Sequence, residues 1–137
     1  MSADATVQLR PILANPHYAA IGGEAAVRRL TERFYELMDE LPRARAIREM
    51  HPADLAAAKQ RLFMFLSGWL GGPPLYAERH GQPRLRRDHV KFSIDEAARD
   101  AWMECMTRAL HEQVDDPALR AQLVASFFKT ADFLRNS

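Results

Sequence analysis

Cysteine occurs once in this sequence, at Cys105. One thiol can close no internal disulfide and can supply no thiolate metal cage. Long apolar runs are absent too: nothing approaches the roughly 20 residues of a membrane span. The opening MSADATVQLR has no apolar stretch of the kind a secretory signal needs, so a reducing cytoplasm is the expected setting. Charge of one sign is also lacking. Nineteen Lys and Arg face eighteen Asp and Glu, for a formal net charge of +1. No strong field therefore draws the chain to nucleic acid or to an anionic membrane. Stretches that alternate polar and apolar with period two are missing, which excludes a sheet protein.

The periodicity that is present is helical. The length and an apolar share of 47% suit one domain with one core. Residues 1–16, interrupted by Pro11 and Pro16, read as an extension, and 17–137 read as the domain. A short turn around Tyr18–Ile21 ends at Gly22-Gly23. Residues 24–41 carry a stripe of Val27, Leu30, Phe34, Leu37, Met38 and Leu41, which Pro42 terminates. A shorter piece around Arg43–Met50 stops at His51-Pro52, because the residue before proline is pushed out of the α region. Asp54 is the expected N-cap of the next helix, with Leu55, Ala58, Leu62, Phe65, Leu66 and Trp69 at spacings of three and four. Residues 73–88, with three prolines, read as a long loop with one helical turn near Leu85–His89. A loop of that length in a small domain usually shapes a binding site. Ser93-Ile94-Asp95-Glu96 has the form of a capping box and opens a helix through about Val114. Asp116-Pro117 then starts the last helix, striped by Leu119, Leu123, Phe127, Thr130 and Leu134.

Chemistry-bearing residues are few. The five histidines, His17, His51, His80, His89 and His111, include no pair at the four-residue spacing of a helical zinc site. No Ser-His-acid or Cys-His set can be singled out, and Gly22-Gly23 lacks the pattern of a phosphate-binding loop. A hydrolase is unsupported. A basic cluster at Arg84, Arg86 and Arg87 is ordinarily a solvated surface. A lone histidine is ordinarily a surface residue. A tyrosine or tryptophan in a stripe, such as Tyr35 or Trp102, is ordinarily core with its polar tip partnered. Together they suit a haem, which needs one neutral imidazole for iron, apolar walls for the porphyrin and cations for two propionates.

The chain reads Gly22-Gly23, Arg33-Phe34-Tyr35, Met38-Asp39, Pro42, Ile47-Arg48 and His51-Pro52, followed by Arg61-Leu62-Phe63-Met64-Phe65-Leu66 and Gly71-Gly72-Pro73. It goes on with Pro83-Arg84-Leu85-Arg86, His89, Phe92, Ile94, Asp100-Ala101-Trp102 and Cys105-Met106. This order, over roughly residues 17–134, resembles the group II truncated haemoglobins. The resemblance implies an all-α, two-over-two helical sandwich around haem b, with the usual F helix reduced to a loop and one turn. It implies His89 as the proximal iron ligand, and Tyr35 and Trp102 as distal hydrogen-bond donors, with His51 as a third distal group. Ala58 and Leu62 then overlook the iron, and the small Ala58 replaces the distal histidine of ordinary globins. Phe34, Phe65, Leu66, Leu85, Phe92 and Met106 are the expected haem contacts. Arg61 and either Arg86 or Arg87 are the expected propionate partners, since guanidinium suits carboxylate bidentately.

Two functions follow from that resemblance. One is binding of O2, CO, NO or a similar ligand. The other is a redox activity, nitric oxide dioxygenation or peroxide reduction, which needs a separate reductase. A third possibility is a haem-free helical module, against which the histidine and the two donors argue. Monomer and homodimer stay open, as does ligation of the resting iron by Tyr35 or His51.

Overall fold

The computed structural model describes residues 16–137, so nearly all of the expected extension lies outside the described residues. Helix α1 is His17–Ile21 and α2 is Gly23–Glu40, joined at Gly22. Gly22 has φ +117°, a left-handed conformation that a side chain would strain. Leu41 leaves the helical region ahead of Pro42, and a 3-10 turn, Pro42–Ala44, leads into α3, Arg45–Glu49. Helix α4 is Ala56–Trp69, and its N-cap is Leu55 rather than the expected Asp54, which sits one residue earlier and still accepts the Ala56 N–H at 2.9 Å through Oδ1.

The segment 73–88 differs from the expected loop. It holds a helix α5, Leu75–His80, before the expected turn α6, Leu85–His89. Two of the prolines misled because Pro73 and Pro74 sit just ahead of α5, where a missing N–H is no loss, and the third, Pro83, falls between α5 and α6. Leu75 and Tyr76 pack on the core, and Gly81, at φ +80°, ends the helix.

Helix α7, Glu96–Gln113, also starts differently. Its N-cap is Asp95, whose carboxylate accepts the Ala98 N–H at 2.8 Å. Ser93 lies outside the cap, in a stretch whose Ile94 N–H is held by Asn136. Helix α8, Pro117–Phe133, starts as expected, with Asp116 accepting from Ala118 and Leu119.

Helix α2 packs on α4 and α7, and α7 packs on α8. This is the two-over-two arrangement, all helical among the described residues. Leu30, Phe34, Met38, Leu66, Met106, Leu110 and Leu123 are fully buried at its centre. Each such side chain contributes about 1.5–3 kcal/mol through burial. Gly72 sits under the Tyr18 ring, where any Cβ would collide, so α1 is pinned against the end of α4. Among the described residues no helix is long and apolar enough to cross a membrane.

Candidate functional site

The core contains a cavity of about 350 Å³. That volume lies in the range of small-molecule and cofactor sites. Helix α6 brings His89 and Leu85 to its wall, α2 brings Tyr35, and α7 brings Ala98, Arg99 and Trp102. Helix α4 contributes Ala58, Arg61, Leu62, Phe65, Leu66 and Trp69, and Phe92 and Ile94 close the side after α6. His51 reaches the wall from the bend after α3.

His89 is half-buried, and its Nδ1 lies 2.7 Å from the Leu85 carbonyl oxygen one turn back. A carbonyl can only accept, so Nδ1 carries the proton and Nε2 carries the lone pair. A backbone-held imidazole of that tautomer is prepared to ligate a metal through Nε2. No group of three metal-ligating side chains forms among the described residues, so a bare ion would find too few protein ligands. A single imidazole suits a metal whose remaining ligands come from a macrocycle.

The same argument fixes His51. Its Nδ1 donates to the Ile47 carbonyl oxygen at 2.8 Å, which leaves Nε2 as an acceptor while the ring is neutral. Its ring meets that of Tyr35 edge-on, with centroids 5.8 Å apart.

Tyr35 is 5% exposed, and its phenol is pushed up to about 12 by burial, with the Arg61 charge pulling the other way. It is therefore a neutral O–H donor at physiological pH. Neither its hydroxyl nor the Trp102 indole N–H has a hydrogen-bond partner among the described residues. Two donors on one cavity wall are thus unengaged. A series of aromatic rings runs along and behind the wall. Ring contacts run from Tyr35 through Phe34, Trp102, Phe127 and Trp69 to Phe65, with successive centroids 5.0, 5.0, 5.8, 4.5 and 6.4 Å apart.

Four of the residues expected at the site lie elsewhere. Phe34 and Met106 are fully buried and do not line the cavity, and Phe34 packs against Tyr35 and Trp102. Arg86 turns its guanidinium onto the Phe133 ring at 4.8 Å, and Arg87 pairs with Asp88 at 3.3 Å. Neither lines the cavity, because α6 points Leu85 and His89 inward with Asp88 beside them, while Arg86 and Arg87 point outward. Arg61 does line it, and has no ion pair or hydrogen bond among the described residues, as a carboxylate partner would require.

Arg99 also lines the cavity and was not foreseen. Its guanidinium is paired with Asp132 at 2.7 Å and Asp100 at 2.9 Å. Asp132 stands far away in sequence, so no local pattern announced the pair. The apolar slab, the free imidazole nitrogen and the unpaired Arg61 together fit a haem.

Comparison with known proteins agrees with this geometry. The model of the bacterial-like globin family matches residues 16–136. Group 2 truncated hemoglobin YjbI of Bacillus subtilis (strain 168) is 40% identical over 96 residues, 70% of this chain and 70% of that protein. The cold-adapted truncated hemoglobin of the Antarctic marine bacterium Pseudoalteromonas haloplanktis TAC125 superposes with a TM-score of 0.86 at 43% identity, covering 88% of this chain and 97% of that one. A truncated oxygen-avid haemoglobin from Bacillus subtilis gives 0.80 at 35% identity, covering 89% and 100%. This chain belongs to the bacterial-like globin family and, within it, to the group II truncated haemoglobins.

Proposed function

We propose that the chain binds haem b through His89 Nε2 and holds O2 or another diatomic gas beneath Tyr35 and Trp102. Family membership already implies haem-based ligand binding. The haem supplies an open iron position that takes the gas. The chain supplies the rest. Leu62, Phe65, Leu66, Leu85 and Phe92 wall the porphyrin off from water, and Arg61 receives a propionate.

The single observation that carries the reading is the pair of unengaged donors on the cavity wall. A hydrogen bond to a charged acceptor contributes about 1.5–3 kcal/mol. Two of them, aimed at a ligand whose outer atom carries negative charge, slow its escape by a factor on the order of 10²–10⁴. His51 has a narrower role. As a neutral ring packed edge-on against Tyr35 it offers an acceptor at Nε2, and it donates there only when protonated. Retention of that strength suits capture or sensing better than delivery. The solved Bacillus subtilis relative is described as oxygen-avid, which supports the same reading.

A redox role is the second reading, and His51 favours it. The ring is half-buried on the cavity wall with Nε2 free, a place from which a proton can pass between solvent and ligand. Electrons would come from a separate reductase.

Stopped-flow O2 dissociation tests the binding reading. Tyr35→Phe and Trp102→Phe should each release O2 about tenfold faster or more. Unchanged rates in both variants would contradict it. Steady consumption of nitric oxide or peroxide with an added electron donor would move the assignment to the redox role.

A further inference from the structure

Asn136 follows α8 on the far side of the fold's last helix, yet it makes three hydrogen bonds to the segment that leads away from His89. Its side-chain amide donates from Nδ2 to the Phe92 carbonyl oxygen at 2.8 Å. Its Oδ1 accepts the Ile94 N–H at 2.8 Å, and its own N–H donates to the Ile94 carbonyl oxygen at 2.9 Å. These partners fix which way the amide faces, because a carbonyl only accepts and an N–H only donates. The Phe92 N–H in turn donates to the His89 carbonyl oxygen at 3.0 Å, and His89 Nδ1–H donates to Leu85. A continuous relay therefore runs from Asn136 through Phe92 to His89.

We propose that Asn136 is a positioning residue for the iron-binding imidazole and for the porphyrin wall beside it. This rests on the reading of His89 as haem ligand. The segment 91–94 lies between α6 and α7 with the Phe92–His89 turn bond of its own, and Val90 just ahead of it is 71% exposed. Phe92 and Ile94 nevertheless line the cavity. Their backbone must be held by something from outside, and the Asn136 amide does this with one donor and one acceptor at the spacing the strand-like backbone presents. A second tie, the Arg99–Asp132 ion pair, fastens the start of α7 to the end of α8 without touching the relay. The two ties can thus be separated by mutation.

Four proteins in the haem-loaded form test the idea: wild type, Asn136→Ala, Asn136→Asp and, as the control at the same seam, Asp132→Asn. Haem loss is read by transfer to excess apomyoglobin, and the iron–histidine stretch by resonance Raman of the ferrous form. The melting temperature and Ile94 amide exchange are read on the haem-free chain. Asn136→Ala should lose haem about tenfold faster, as loss of two hydrogen bonds near the lower end of their usual worth implies. It should also shift or broaden the iron–histidine band and expose the Ile94 amide to exchange. Asn136→Asp should do at least as much, because it keeps the acceptor but sets a carboxylate against the Phe92 carbonyl. Asp132→Asn should leave the iron–histidine band in place whatever it does to melting. Unchanged haem loss and an unchanged band in both Asn136 variants would overturn the proposal while leaving haem binding intact. A band shifted equally by Asp132→Asn would also overturn it, since the effect would then be general loosening. Wild-type protein that takes up no haem would overturn the functional reading itself.

Discussion

Tyr35 shows how one side chain's surroundings set its chemistry. Packed edge-on between the Phe34 and His51 rings and nearly closed off from water, its phenol loses more by ionising than a free tyrosine does. Its folded value is raised from 10.0 to about 12, chiefly by burial, with the Arg61 charge opposing. For an acid whose folded value is raised, the contribution to stability is whole below the unfolded value. It is lost as pH climbs from about 10 toward 12. The donor therefore stays intact across the physiological range. Tyr35→Phe should remove a phenolate component with a midpoint near 12 from the alkaline absorbance titration; a wild-type titration without any component that high would refute the burial argument. The identity of such residues was legible in the sequence because they stand in a dense, ordered pattern around Tyr35, His89 and Trp102. Arg99 and Asn136 were not legible. Each acts through partners 33 to 44 positions away that only the fold brings together, and neither type is rare enough in a sequence to draw notice.

Elements were read well where one periodic face meets the core, and poorly at their ends. The stripes of α2, α4 and α8 appear as expected, because burial of a face imposes the helical period on sequence. The start of α7 did not, since Ser93 and Asp95 are both good capping residues two positions apart and local sequence cannot choose. Asn136 engages the Ile94 N–H, and Asp95, itself extended, caps the helix. Denaturant unfolding checks this directly. Asp95→Ala should lower stability by about 1 kcal/mol, whereas Ser93→Ala should change it by no more than about 0.5 kcal/mol. The reverse order would restore the serine as the cap. Helix α5 was missed for a related reason: proline reads as a breaker unless its place relative to the first turn is known.

At the scale of the molecule, a 137-residue chain encloses a cavity of about 350 Å³ behind apolar walls. Unfilled, such walls forfeit packing contacts that the rest of the core enjoys. A ligand that fills the space and binds only the folded chain adds to its stability by mass action. His89 and His51 both present a free Nε2 to the cavity, and in the proposed reading it is His89 that makes a haem that ligand. The most direct test is the absorption spectrum of haem-reconstituted protein in ferric, ferrous and CO-bound forms, for wild type and for His89→Gly with and without added imidazole. The account predicts a histidine-ligated Soret spectrum in the wild type, its loss in the variant and its recovery when imidazole enters the vacated space. A His89→Gly protein whose spectra match the wild type without imidazole would contradict it.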